Sequence, residues 1–187
     1  MHGDLKMQDM QPLAGTAAPE RRELIVCFLD LASFTRDAST RDEEDVATMI
    51  DAFYERVGDA AARAGGTVVK FIGDGALVTF PPERADDALA AILDLRQEID
   101  RWLPGEGWSG RLLVKLHAGA VMAGGFGTRG GKRFDVIGNA VNVAATLPRP
   151  FHLSPQMFRL LSPAGRARVK KHTPPITYIP LGDPHTR

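Results

Sequence analysis

Cysteine is almost absent from this chain: Cys27 is the one thiol in 187 residues. A single cysteine excludes an intrachain disulfide and suits a reducing compartment such as the cytoplasm. Cys27 also lies inside an apolar stretch, Leu24-Ile25-Val26-Cys27-Phe28-Leu29, so it reads as a small buried hydrophobe rather than a reactive thiol. An excess of one charge sign is lacking too. Lys+Arg and Asp+Glu each number 23, so nothing global advertises nucleic acid or an anionic membrane, and any bound anion must be held locally. No apolar run approaches the roughly 18–20 residues that cross a bilayer. The first twenty residues scatter Asp4, Lys6 and Asp9 among Met, Gly and Pro, without the apolar centre of a signal peptide. Repeats and low-complexity tracts are missing as well. The cytoplasm is the default location, with neither membrane nor nucleic acid as a partner.

What is present is ordinary in bulk. The apolar share is 44% and the charged share 25%, and 187 residues make about one domain with a full core. Residues 1–21, with Pro12, Gly15 and Pro19 and no periodicity, read as a flexible arm, and residues 22–187 as the folded domain. A strand is expected over Glu23–Leu29, apolar on both faces. Val46, Met49, Ile50, Phe53, Val57, Ala60 and Ala61 follow helical spacing, with Asp42, Glu43, Glu44 and Asp45 in the first turn and Gly65-Gly66 as the stop. A second helix places Leu89, Ile92, Leu93, Ile99 and Leu103 on one face. Leu112–His117 reads as a strand running on into Ala120-Val121-Met122, and Gly124–Gly131 as a turn or extended arm. A helix should begin near Gly138 or Asn139 and stop before Pro148. Ser154 and Pro155 suit the cap and first position of another helix, and Ile176–Ile179 a last short strand. Helices alternate with strands and hairpins, which predicts an α/β (α+β) domain with a mixed or antiparallel sheet.

Two strand ends carry candidate chemistry. Lys70-Phe71-Ile72-Gly73-Asp74-Gly75-Ala76-Leu77-Val78 runs a strand into a glycine-flanked aspartate and straight back into a second strand. Glu23–Leu29 runs into Asp30, followed by Leu31-Ala32-Ser33-Phe34-Thr35. Taken singly, each aspartate reads as a turn or cap residue. On adjacent strands the two carboxylates can share metal ions, and amides at the start of the next segment suit a polyphosphate.

Together with Phe134-Asp135-Val136-Ile137-Gly138-Asn139-Ala140-Val141-Asn142-Val143-Ala144-Ala145, these segments resemble the class III nucleotide cyclase catalytic domain over about Glu23 to Leu147. The resemblance implies a ferredoxin-like core, an antiparallel-rich sheet flanked by helices, and a head-to-tail homodimer with sites at the interface. It implies that Asp30 and Asp74, with Leu31, hold two Mg²⁺ or Mn²⁺ ions, and that Ser33, Phe34 and Thr35 face the phosphates of ATP. Lys70, four residues before Asp74, and Asp135, seven before Asn142, fall where the family reads the purine, and Asn142 where it orients the ribose. Lysine donates to adenine N1 and a carboxylate accepts from the N6 amino group. Members specific for GTP tend to carry Glu and a small residue such as Cys there, so Lys70 and Asp135 favour ATP. His117, in Leu116-His117-Ala118-Gly119, matches a core strand and reads as structural.

The chain departs from the family pattern at Thr146, where an arginine is expected to clamp phosphate charge in the transition state. A neutral hydroxyl does not replace a delocalised cation with five donors. Pro148 and Pro150 end the helix early, and Arg149 has the wrong helical phase to stand in. The lysine expected near the final hairpin is also lacking after Lys171, in a C-terminal part that looks shortened. The reading is therefore an adenylate cyclase making 3′,5′-cyclic AMP and pyrophosphate, with turnover reduced at Thr146. A catalytically impaired module that binds nucleotide or dimerises, and a guanylate cyclase, are the alternatives.

Overall fold

The computed structural model describes residues 18–182, so the first seventeen residues of the expected arm lie outside the described part. Its elements are β1 (Glu20–Leu31), α1 (Phe34–Ala38), α2 (Glu43–Arg63), β2 (Thr67–Ile72), β3 (Gly75–Phe80), α3 (Ala85–Gly105) and β4 (Leu112–Thr128). There follow β5 (Gly131–Ile137), α4 (Asn139–Thr146), β6 (Phe151–Leu153), α5 (Pro155–Leu160), α6 (Pro163–Arg166), β7 (Val169–His172) and β8 (Thr177–Pro180). They build one eight-stranded sheet in the order β2-β3-β1-β4-β6-β8-β7, with β5 hydrogen-bonded to β4 off that path. Every pairing is antiparallel except β4 with β6, so the expected antiparallel-rich sheet flanked by helices is the fold observed.

β1 is apolar throughout its middle because both of its faces are covered. Ile25, Cys27 and Leu29 enter a core shared with Phe53 and Val57 of α2 and Leu89 and Ile92 of α3. Val26 turns the other way, into a smaller cluster with Leu77, Val121, Val136 and Ala140 and Ala144 of α4. Side chains alternate faces along a strand, so Phe28 and Asp30 follow Val26 onto the α4 side. The strand that builds the main core thereby delivers a carboxylate to the opposite face at its end.

Several local signals hold. Asp42 accepts a hydrogen bond from the Asp45 amide at 2.9 Å, which makes it the N-cap of α2 rather than a first-turn residue. Ser154 likewise caps α5, accepting from the Met157 amide, with Pro155 at the first helical position. α4 begins at Asn139 and ends at Thr146, before Pro148.

Three boundaries and one helix face are corrected. β1 starts at Glu20 and continues through Leu31, because β4 pairs with it from Glu20 to Leu31; the arm therefore cannot extend to residue 21. Gly124 to Thr128 belong to β4, since their backbone pairs with Asp135 back to Gly131 of β5. On α3, Leu95 and not Leu93 is fully buried, the helix pressing a slightly rotated face on the sheet. The last strand spans Thr177–Pro180 and pairs with β7, a partner without a periodic signal of its own.

Candidate functional site

The end of β1 and the β2–β3 hairpin form one corner. The β1–β3 register sets Asp30 opposite Gly75, and the Leu31 amide donates to the Asp74 carbonyl at 3.2 Å. The glycines on either side of Asp74 have separate reasons. Gly73 takes the left-handed conformation, φ +57°, that the turn requires. A Cβ on Gly75 would stand 2.8 Å from the Leu29 carbonyl, so only glycine lets the hairpin lie this close to β1. From α2, Tyr54 donates its hydroxyl to the Gly73 carbonyl at 2.7 Å and stacks on Phe71, ring centroids 3.8 Å apart. The aspartate tip is thus braced from below.

Asp30 and Asp74 are both half-buried. Burial, and after it the neighbouring Asp74 charge, push the Asp30 carboxyl above its ordinary range. Arg149, Lys115 and a hydrogen bond from the Leu31 amide pull in the other direction without prevailing. A carboxyl raised by burial and by a neighbouring negative charge is one that a bound dication relieves. The available donors are oxygens, and among the described residues no group of three His, Cys, Asp or Glu forms. An oxygen-only set with few carboxylates fits magnesium or manganese completed by phosphate and water. The Leu31 side chain is apolar and buried, so only its main-chain carbonyl could join them.

Beyond Leu31 the chain turns through Ser33, φ 66°, into α1. The amides of Ser33, Phe34 and Thr35 donate to no backbone acceptor among the described residues. α1 is tied down from its far side. Phe34 stacks on Trp108 at 5.7 Å, and the Asp37 carboxylate accepts from the Ser109 amide at 2.6 Å. Those Ser109 hydrogen bonds hold the Asp37 carboxyl below its usual range.

Two cations stand at this corner: Arg149, whose helical phase argues against it, and Lys115, which the sequence does not single out. Arg149 reaches the Asp30 carboxylate at 3.2 Å. Its helical phase is irrelevant, because the chain has left α4 at Leu147 and approaches β6 by another path. Lys115 projects from β4. Leu113 pairs with Asp30, so Lys115 is the diagonal neighbour on the same face, within reach of a long side chain. Its ammonium donates to the carbonyl of Ala145 in the last turn of α4. Burial, and then the Arg149 charge, lower the Lys115 pKa, with Asp30 opposing them. A cavity of about 200 Å³ lies here, lined by Asp30, Lys115, Phe28, Ile72, Gly75 and Ala145 among others. The available signal was a lysine interrupting Leu112-Leu113-Val114-Lys115-Leu116, which only the pairing register turns into a position.

Lys70 and Asp135, 65 residues apart, meet directly: Nζ lies 2.7 Å from Oδ2. The second carboxylate oxygen accepts from the Val136 amide at 2.8 Å, which fixes the orientation of Asp135. Asn142 is exposed on α4, and its side chain makes no hydrogen bond among the described residues. Thr146, at the end of the same helix, turns its hydroxyl back onto the Val143 carbonyl at 3.0 Å. His117 is buried, with Nδ1 2.9 Å from the Ser154 hydroxyl and a pKa lowered by burial, away from both pairs.

A family model described as the adenylate and guanylate cyclase catalytic domain matches residues 17–167. Over 133 residues, 68% of this chain, the sequence is 35% identical to an uncharacterized protein of Mycobacterium tuberculosis, of which it covers 24%. It is 28% identical over 159 residues to adenylate cyclase 2 of Rhizobium meliloti, covering 78% of this chain and 44% of that protein. The chain thus spans less than half the length of these relatives. A bacterial light-regulated adenylyl cyclase of known structure superimposes with a TM-score of 0.77 at 22% identity, over 89% of this chain and 54% of that one, a likeness of fold.

Proposed function

The chain belongs to the adenylate and guanylate cyclase catalytic domain family, and we propose that it converts ATP to 3′,5′-cyclic AMP and pyrophosphate. The observation that carries the choice of ATP is the contact between Lys70 and Asp135. The pair sets a cationic donor beside an anionic acceptor, which complements adenine N1 and N6. Guanine offers an N1–H donor and an O6 acceptor at that edge and would meet both groups with the wrong polarity.

In this reading Asp30, Asp74 and the Leu31 carbonyl hold two divalent ions. Bound there, Mg²⁺ or Mn²⁺ lowers the pKa of the ribose 3′-hydroxyl and neutralises triphosphate charge. The unengaged amides of Ser33, Phe34 and Thr35 receive phosphate oxygens, and Asn142 orients the ribose. The 3′-oxygen then attacks the α-phosphorus, the bond to the pyrophosphate oxygen breaks, and the hydroxyl proton leaves to solvent. Lys70 and Asp74 are four residues apart and serve opposite sites in a head-to-tail homodimer, so one chain offers two half-sites. An apolar surface suits that assembly: Ile72, Met122 and Ile137 are exposed, the last two directly opposite each other on β4 and β5.

Thr146 limits the rate. Its hydroxyl is turned onto its own helix, and no guanidinium on α4 faces the developing phosphate charge. The same observation favours a second reading, a dimerising nucleotide-binding module with little turnover. Incubation of the purified protein with ATP or GTP and Mn²⁺, followed by quantification of both cyclic nucleotides, tests the proposal. Slow formation of cyclic AMP without cyclic GMP is expected. Cyclic GMP as the main product would overturn the base assignment, and nucleotide binding without product would favour the module. The Cys27 thiol is buried with its pKa pushed up by burial, which makes it an inert core residue and not part of the site.

A further inference from the structure

The cations beside Asp30 are more than its counter-charges. Arg149 already pairs with the carboxylate at 3.2 Å. Among the described residues Lys115 makes no ion pair within 4.0 Å and has one acceptor, the Ala145 carbonyl, although its ammonium has three N–H donors. Its stem lies in an apolar strand between Val114 and Leu116, and its head borders a cavity whose other walls are mostly apolar. The exposed Arg149 and the partly buried Lys115 repel each other, Asp30 offsets part of that repulsion, and a further anion would relieve the rest.

The protein charges at the corner balance before any ligand arrives. Asp30 and Asp74 supply two negative charges, Lys115 and Arg149 two positive ones. Position 146, where a cation is expected, carries a neutral threonine. A metal-bound triphosphate at this corner would instead meet positive charge from Lys115 and Arg149, delivered by the chain that carries the aspartates.

We propose that Lys115 is a triphosphate-binding residue of this site, reaching into the cavity beside Asp30 and acting with Arg149 from the metal-bearing side. The inference rests on the nucleotide-cyclase reading. Lys115 contributes to holding the polyphosphate in the ground state, whereas the charge missing at Thr146 belongs to the transition state. Loss of Lys115 should therefore appear in Kd and KM, and barely in kcat.

Inorganic tripolyphosphate, which lacks base and ribose, tests this directly. Its binding to the full chain with Mn²⁺ is measured by calorimetry for the unmodified protein, Lys115→Gln and Lys115→Arg. Glutamine keeps a donor for the Ala145 carbonyl but removes the charge; arginine keeps the charge. Lys115→Gln should weaken tripolyphosphate binding on the order of tenfold, with Lys115→Arg close to the unmodified protein. Equal affinity in Lys115→Gln and the unmodified protein would overturn the proposal. If the variants fold poorly, acetylation of Lys115 in the unmodified protein, followed by mass spectrometry, decides the matter. Protection by tripolyphosphate with Mn²⁺ supports the contact, and labelling unaffected by it refutes the contact. A non-hydrolysable ATP analogue separates this failure from that of the cyclase reading. Analogue binding that survives Lys115→Gln unchanged sinks only the role of Lys115, while absence of analogue binding in the unmodified protein sinks both.

Discussion

At the end of β1, Asp30 is surrounded by its own chain: Asp74 across the hairpin, Arg149 at 3.2 Å and Lys115 diagonally opposite on β4. Lys70 and Asp135 hold mainly each other, and Asn142 stands exposed, without a side-chain hydrogen bond among the described residues. The first corner is electrically balanced before any ligand arrives. The second offers a donor, an acceptor and an amide to something outside the chain. On the proposed reading, the contrast separates what a single protomer supplies from what assembly supplies. On that reading metal and phosphate are held where strands bury charge, and the nucleoside is read where side chains stay accessible.

The largest way to break the first corner is to remove a carboxylate. Asp74→Asn or Asp30→Asn should abolish metal-dependent nucleotide binding, a loss of about a hundredfold or more, because a hard dication needs the charge and not merely the oxygen. Calorimetry with Mn²⁺ and a non-hydrolysable ATP analogue checks this, and unchanged affinity would contradict the metal assignment.

The second corner is broken by inverting its polarity. Lys70→Glu combined with Asp135→Cys should cut the preference for ATP over GTP by about ten- to a hundredfold, since each mismatched group is left unpaired, at roughly 1–3 kcal/mol. The fold should survive, as a half-exposed ion pair contributes at most about 1 kcal/mol. Competition binding with both nucleotides measures the change. Equal purine affinities before the substitution would show that the pair does not read the base.

A smaller effect is expected from Thr146→Arg. The hydroxyl makes only a local bond to Val143, so little is lost, and a cation is gained at the end of α4. kcat should rise about tenfold, short of the ~10³–10⁵ that a well-aimed arginine supplies in phosphoryl transfer, because Leu147 and Pro148 leave the helix immediately. Steady-state kinetics should place the gain in kcat rather than KM.

The smallest effect is one of stability. The Asp30 carboxyl is raised above its unfolded-state pKa, so its ionisation opposes folding at neutral pH. Asp30→Asn should therefore raise the thermal midpoint of the metal-free protein slightly at pH 7. The advantage should fade as pH falls through the raised Asp30 pKa toward the unfolded-state value of about 3.9, where Asp30 is protonated in both states. An advantage that persists at low pH would trace the gain to packing instead.

Local signals were legible where chain neighbours decide the outcome. Gly73-Asp74-Gly75 gives its hairpin, Asp42 and Ser154 their caps, and Pro148 the end of α4. The pairing of Lys70 with Asp135 was foreshadowed by motif and then met in space. Lys115 and Arg149 were not legible as site residues. One depends on a cross-strand register fixed by the whole of β1 and β4, the other on a chain path between proline residues that no periodicity describes. The short strands β6 and β7 escaped for a related reason. Three or four residues carry too little pattern, and pairing with β4 and β8 defines them.

The central claim is that one protomer's aspartates and another's Lys70, Asp135 and Asn142 form each site, and mixing two defective proteins tests it most directly. Asp74→Asn lacks the first half-site, and the Lys70→Glu, Asp135→Cys double variant lacks the second for ATP. Each alone should make almost no cyclic AMP. Random pairing of equal amounts gives half heterodimers, each with one intact site of two, so the mixture should recover about a quarter of the unmodified activity. A mixture no more active than its separate components, with heterodimers demonstrated in the same sample, would contradict the shared site.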